Sequence, residues 1–140
     1  MNKKVAIEII SSLLVLLFLY ASLSKFFDFN HFIGEMNNQP FPNWMTPWLV
    51  WSIPLLEIAI TLALVFERTR TKGLYASLIL MTAFTIYTIA ILLRMFGRIP
   101  CSCGGVIEKL TWQQHLLFNL FFVAISFAAI LLRKPRVARA

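Results

Sequence analysis

Cys101-Ser102-Cys103-Gly104-Gly105 holds both cysteines of this chain, with one residue between them. Three chemistries suit such a pair. A disulfide closed over a single intervening residue forces a tight bend, and departure from relaxed geometry makes a disulfide easier to reduce. Gly104 and Gly105 give the backbone freedom directly after the pair, while Pro100 stiffens the approach. Arg98 and the start of a following helix both favour the thiolate, which is the nucleophilic form. These neighbours suit thiol–disulfide exchange with a partner. Two thiolates joined by His31 or His115 would instead suit a soft ion such as Cu(I) or Zn(II), although neither histidine stands at ordinary finger spacing from the pair. A structural bridge is the third option, and so short a ring constrains little chain. The residues leave all three open; exchange suits them best, and no metal-ligand set is assigned.

Other residue types support the same region. Thr111, His115 and Asn119 recur at i, i+4 and i+8 and share one helix face. That stripe is expected to face other helices, either in hydrogen bonds between them or in proton handling beside the thiols, since imidazole titrates in the useful range. Glu57 falls inside a long apolar run, where a carboxylate should face the interior, protonated or paired. Its candidate partners are Lys25 and the hydroxyls of Tyr20, Tyr87 and Thr85. Pro54, one turn earlier, frees a backbone carbonyl that can help shape a pocket. Glu8 lies near a membrane edge and is expected to snorkel. Ser77, Met81, Thr85 and Thr88 form a small-polar stripe of the kind that packs helices.

The elements that must position these residues are apolar and long. Of 140 residues 59% are hydrophobic and 14% charged, with a mean hydropathy of +0.77; a soluble domain has about a quarter of its residues charged. Val5–Leu23, Trp48–Phe66, Leu74–Leu93 and Leu116–Leu132, the last extended by Trp112 to His115, approach or reach the roughly 20 residues needed to cross a bilayer. The expected fold is therefore all-α: a polytopic membrane protein, residues 1–140 in a single domain, built as an antiparallel four-transmembrane-helix bundle. The helices are expected at about 5–23, 48–66, 74–93 and 112–132, with the cysteines in a loop over 94–111.

The net charge of +7 is explained by position. Lys3, Lys4, Arg68, Arg70, Lys72, Arg133, Lys134, Arg136 and Arg139 fall on one side of an alternating four-helix topology, and Lys25, Arg94, Arg98 and Lys109 on the other. This asymmetry predicts cytoplasmic termini, and it leaves no basic face for nucleic acid. Lys3-Lys4 before an apolar run resembles a signal peptide, but the run is long and Tyr20-Ala21-Ser22 is a poor cleavage site, so retention is expected. The cysteines then face the periplasm of a bacterial inner membrane, where disulfides persist.

Punctuation fits this plan. Pro40-Phe41-Pro42-Asn43-Trp44 and Pro47-Trp48 suggest a stiff segment at the headgroups. Thr46 is expected to cap the second helix, with Pro47 at its first position. Thr111-Trp112-Gln113-Gln114 has the Thr-x-x-Gln form of a capping box. Residues 68–73 make a short turn between the second and third helices.

Taken together, Ser22-Leu23-Ser24-Lys25-Phe26-Phe27-Asp28, Pro54-Leu55-Leu56-Glu57, Cys101-Ser102-Cys103-Gly104-Gly105 and Thr111-Trp112-Gln113-Gln114-His115 with Asn119 resemble the MauE branch of the MauE/DoxX redox-associated membrane proteins, over roughly residues 5–132. The resemblance implies a four-helix membrane bundle. It also implies an accessory role in periplasmic disulfide handling beside a thioredoxin-like partner, and a link to methylamine utilisation through maturation of a disulfide-rich dehydrogenase subunit. It carries a redox role to Cys101 and Cys103 only. The reading is thus a component of a thiol–disulfide oxidoreductase system, with His115, Glu57, Arg98, Asn119 and Lys25 in support. No cofactor is assigned; a quinone is compatible, because two cysteines on one face need an electron acceptor. Expected partners are the lipid bilayer, the thioredoxin-like protein and, as a further candidate, a second copy of the chain. The alternatives are a non-catalytic scaffold or chaperone for a periplasmic redox protein, and a copper- or zinc-handling membrane protein.

Overall fold

A computed structural model describes residues 2–40, 42–95 and 111–133. Five α-helices account for most of them: α1 Lys3–Phe27, α2 Phe29–Asn37, α3 Thr46–Val65, α4 Arg70–Leu92 and α5 Trp112–Arg133, and the described residues contain no strand. Four of these, α1, α3, α4 and α5, are long and apolar enough to cross a membrane. Such lengths follow from the solvent: inside hydrocarbon every backbone N–H and C=O must be paired within the segment, which a helix achieves by itself.

The four long helices alternate in direction and form a ring in which α1 packs on α3, α3 on α4, α4 on α5 and α5 back on α1. The bundle therefore has two distinct ends. One end gathers the start of α1, the α3–α4 turn and the end of α5. The other gathers the end of α1, the start of α3, the end of α4 and the start of α5, and it is closed in part by α2, which lies on α3. The core is apolar, with Leu14, Phe18, Leu64, Leu74 and Met81 almost fully buried. Leu16, Leu62, Ile79, Ile86 and Leu117 face outward and are more than half exposed. Helices apolar on every face suit a lipid surround rather than water.

The first end is knitted by polar groups. Thr69 Oγ1 donates to the Ala63 carbonyl at 2.8 Å and Arg70 Nε to the Leu64 carbonyl at 3.0 Å, satisfying carbonyls that the end of α3 leaves open. Glu67 pairs with Arg70 at 2.5 Å and Arg133 at 2.8 Å, and Arg133 also donates to Thr71 at 2.7 Å. Gly73 permits the close approach of α3 and α4: a Cβ there would lie 3.0 Å from the Leu64 backbone nitrogen.

Two local expectations change. No helix was expected between residues 23 and 48, yet α2 forms over Phe29–Asn37, ahead of the proline-rich segment, with Asp28 accepting from the His31 N–H at 3.4 Å at its start. Phe32 and Met36 are buried against Val50. Thr46 does not cap α3. A 3-10 turn at Asn43–Met45 leads directly into the helix, so Thr46 is already helical and Met45 occupies the cap position. The Thr111 capping box does form, the Gln114 N–H donating to Thr111 Oγ1 at 3.2 Å and the Thr111 N–H to Gln114 Oε1 at 3.1 Å. The helices also outrun the apolar stretches: α1 continues through Ser24 and Lys25 to Phe27, and α4 begins at Arg70.

Candidate functional site

Glu57 lies 11 residues beyond the start of α3, about 16 Å along the axis at 1.5 Å per residue, and is 1% exposed. A charge at that depth needs a partner. It has one in Lys25 from α1, whose Nζ stands 3.2 Å from Glu57 Oε1 and 3.4 Å from Oε2. Lys25 Nζ also donates to the Ala21 carbonyl at 3.3 Å and lies 5.8 Å from the centroid of the Phe32 ring. Of the candidate partners, Lys25 is the one that engages Glu57. Tyr20 is half-exposed on the outer surface, Thr85 donates to the Met81 carbonyl at 2.7 Å, and Tyr87 donates to Gln39 Oε1 at 2.5 Å.

Between the other two long helices, α4 and α5 are joined by a buried polar contact, Asn119 Nδ2 donating to Thr88 Oγ1 at 3.3 Å. Thr88 in turn donates to the Phe84 carbonyl at 2.8 Å, and Ser77 to the Gly73 carbonyl at 2.8 Å. The small-polar stripe of α4 thus satisfies its own hydroxyls and leaves room for close packing against α5. His115, one turn before Asn119 on α5, stacks on Trp112 with ring centroids 6.2 Å apart and planes 16° from parallel. Its Nδ1 is buried and has no hydrogen-bond partner among the described residues.

These groups share one space. Lys25, Glu57, Gln39, His115 and Asn119 all line a cavity of about 330 Å³ between the helices at the α2 end of the bundle. Its remaining walls are mainly apolar and aromatic, with Phe18, Phe32, Phe84 and Trp112 prominent. Ala83 lines it too and is itself exposed on the outer surface of α4, so the cavity opens sideways out of the bundle. A mostly apolar pocket with a few convergent polar groups is the form that small-molecule sites take.

The structure therefore brings together Lys25, Glu57, His115 and Asn119 of the residues singled out from the sequence. Cys101, Cys103 and Arg98 lie outside the described residues. Glu8 is exposed near the start of α1. His31 pairs with Glu35 on α2 at 2.5 Å, and no group of three or more His, Cys, Asp or Glu able to hold a metal ion occurs among the described residues. Gln39 was not legible beforehand. It is buried by the turn that follows α2, and its signal was indirect: Phe29, Phe32, Ile33 and Met36 follow the i, i+3, i+4, i+7 pattern of an amphipathic helix.

All four tryptophans, Trp44, Trp48, Trp51 and Trp112, belong to this end. The first three are exposed, as expected of side chains anchored at a membrane–water boundary.

Comparison with known proteins gives one result. The model of a family described as Methylamine utilisation protein MauE matches residues 3–132. No curated protein and no solved structure matches the chain at a significant level.

Proposed function

The chain belongs to the MauE family of methylamine utilisation proteins and is a multi-pass membrane protein; on that premise we propose that it supports thiol–disulfide exchange through Cys101 and Cys103, on the periplasmic face of a bacterial inner membrane. The observation that carries this reading is a convergence at one end of the bundle. The polar cluster of Lys25, Glu57, His115 and Asn119 lies where α4 finishes and α5 begins, and the chain between those two helices contains both cysteines.

In the proposed step a thiolate of the pair attacks one sulfur of a disulfide in a thioredoxin-like partner. The partner's S–S bond breaks, a mixed disulfide forms, and the displaced sulfur leaves as a thiolate. The second cysteine then attacks the mixed disulfide, which releases the partner as a dithiol and leaves Cys101–Cys103 oxidised; the reverse sequence oxidises the partner. Arg98 and the positive end of α5 would favour the thiolate.

Orientation follows from the charges. Lys3, Lys4, Arg68, Arg70, Lys72 and Arg133 mark the end remote from the cavity. At the cavity end Lys25 is withdrawn into an internal ion pair, which sharpens the asymmetry. With Arg94 as the exposed cation described at the cavity end, these charges support placing that end in the periplasm.

Single substitutions test the exchange step. Cys101→Ser or Cys103→Ser should accumulate a reductant-sensitive adduct with a periplasmic protein, because the resolving thiol is gone. Replacing both should abolish the adduct and the maturation of the client's disulfides. Unimpaired maturation with both cysteines replaced would sink the exchange reading and leave a scaffold.

A further inference from the structure

We infer that the cavity at the α2 end of the bundle binds the head group of a membrane quinone. The pocket itself needs only described residues; the use of the bound quinone as electron acceptor rests on the exchange reading above.

Three features select this ligand class. The first is access. Exposed Ala83 lines the cavity about 20 Å along α4 from Arg70, so the opening lies at hydrocarbon depth and a lipid-dissolved ligand can reach it without crossing water. The second is shape and wall chemistry. About 330 Å³ is at the lower end of the roughly 300–1,000 Å³ of small-molecule sites, and Phe18, Phe32, Phe84 and Trp112 offer flat apolar surfaces to a planar ring.

The third feature is polarity. An acyl chain would need no polar wall, yet Lys25, Glu57, His115 and Asn119 line this space. A lipid phosphate would need free cations, and the lining cation, Lys25, is already paired with Glu57. A quinone carries two carbonyl acceptors that become hydroxyl donors on reduction. His115 meets that change, since imidazole both donates and accepts and its buried Nδ1 lacks a partner among the described residues.

The coupled step balances. Two thiols of the Cys101–Cys103 pair lose two S–H bonds and gain one S–S bond; two electrons and two protons pass to the quinone, whose carbonyl oxygens become the hydroxyls of a quinol. This supplies the acceptor that a cysteine pair on one face requires.

The test uses the full chain in lipid nanodiscs with decylubiquinone as probe, read by quenching of tryptophan fluorescence. Saturable quenching is expected, weakened at least tenfold by Ala83→Phe, which fills the opening, and by His115→Ala. Ile79→Phe, on the outer face of α4, should leave it unchanged. If Ala83→Phe does not accumulate as folded protein, His115→Ala carries the test. Non-saturable quenching, or saturable quenching indifferent to these two variants, overturns the site. Equal competition by 1-decanol overturns it as well, because the pocket would then hold an alkyl chain. The double variant Cys101→Ser/Cys103→Ser should bind decylubiquinone like the wild type but fail to reduce it with dithiothreitol. Binding without thiol-dependent reduction in the wild type would therefore leave the pocket standing and overturn the quinone as acceptor of the thiols' electrons, and exchange with a thioredoxin-like protein in the absence of quinone binding would leave the exchange reading standing and overturn the pocket.

Discussion

Lys25 Nζ and Glu57 Oε1 stand 3.2 Å apart between α1 and α3, with side chains 10% and 1% exposed. Two opposite charges so placed are tolerable only together: each offsets much of the other's desolvation, and loss of one strands the other. Lys25→Met or Glu57→Leu should therefore destabilise the bundle by about 3–5 kcal/mol, whereas the double change Lys25→Met/Glu57→Leu should restore most of that loss. Denaturation of the purified variants in mixed detergent micelles reads both quantities. Equal stability of the two single variants and the wild type would mean that the pair contributes nothing.

Asn119 and Thr88 form a smaller link between α5 and α4. Hydrogen bonds between membrane helices couple by about 0.6 kcal/mol on average. A double-mutant cycle on Asn119→Ala and Thr88→Val should return a coupling of that order, up to about 1.7 kcal/mol. A coupling indistinguishable from zero would contradict the contact.

Gly73 faces Leu64 and Ala63 so closely that an added Cβ would meet the Leu64 backbone nitrogen at 3.0 Å. Backbone cannot move aside as a flexible side chain does. Gly73→Ala should cost about 1–3 kcal/mol through overpacking of the α3–α4 turn, read as a lower melting temperature. Alanine's better helix propensity acts in the opposite direction, by up to about 1 kcal/mol, so a stabilised variant would show that the two helices can separate freely here.

Arg94 adopts φ 56°, the left-handed conformation that ends α4. The Met95 N–H reaches back to the Ala90 carbonyl at 3.1 Å, closing the terminal turn. For a residue with a Cβ this conformation costs about 1–2 kcal/mol. Arg94→Gly should relieve that cost, offset in part by glycine's greater freedom in the unfolded chain, for a net gain of up to about 1 kcal/mol. A measured loss would indicate that the arginine side chain makes a contact worth more than the strain.

The long helices were legible because their signal is additive: some twenty apolar residues in a row leave few alternatives in a membrane protein. The buried carboxylate was legible for the same reason, as Glu57 interrupts such a run. Its partner was only one of several candidates, since choosing Lys25 over Tyr20 or Tyr87 depends on how α1 and α4 are rotated against α3, which apolarity on every face does not specify. α2 was missed because four apolar positions in nine residues are a weak pattern beside a segment rich in proline and aromatics. Without α2 the burial of Gln39 had no basis, and the cavity that Gln39 helps to line had no visible fourth wall. Thr46 misled for a local reason: its place before Pro47 suits a cap, but the preceding 3-10 turn moves the helix start upstream.

Thiol–disulfide exchange requires a reversible covalent link between Cys101 and Cys103. Native membranes should be quenched in acid and treated with a maleimide-linked polymer that adds mass to each free thiol, with and without prior reduction. The oxidised fraction should show no mass shift before reduction and a shift of two polymer units after it, and the two forms should interconvert when a thioredoxin-like protein is supplied in its reduced or oxidised state. Two reactive thiols under every oxidising condition tested would contradict the exchange reading.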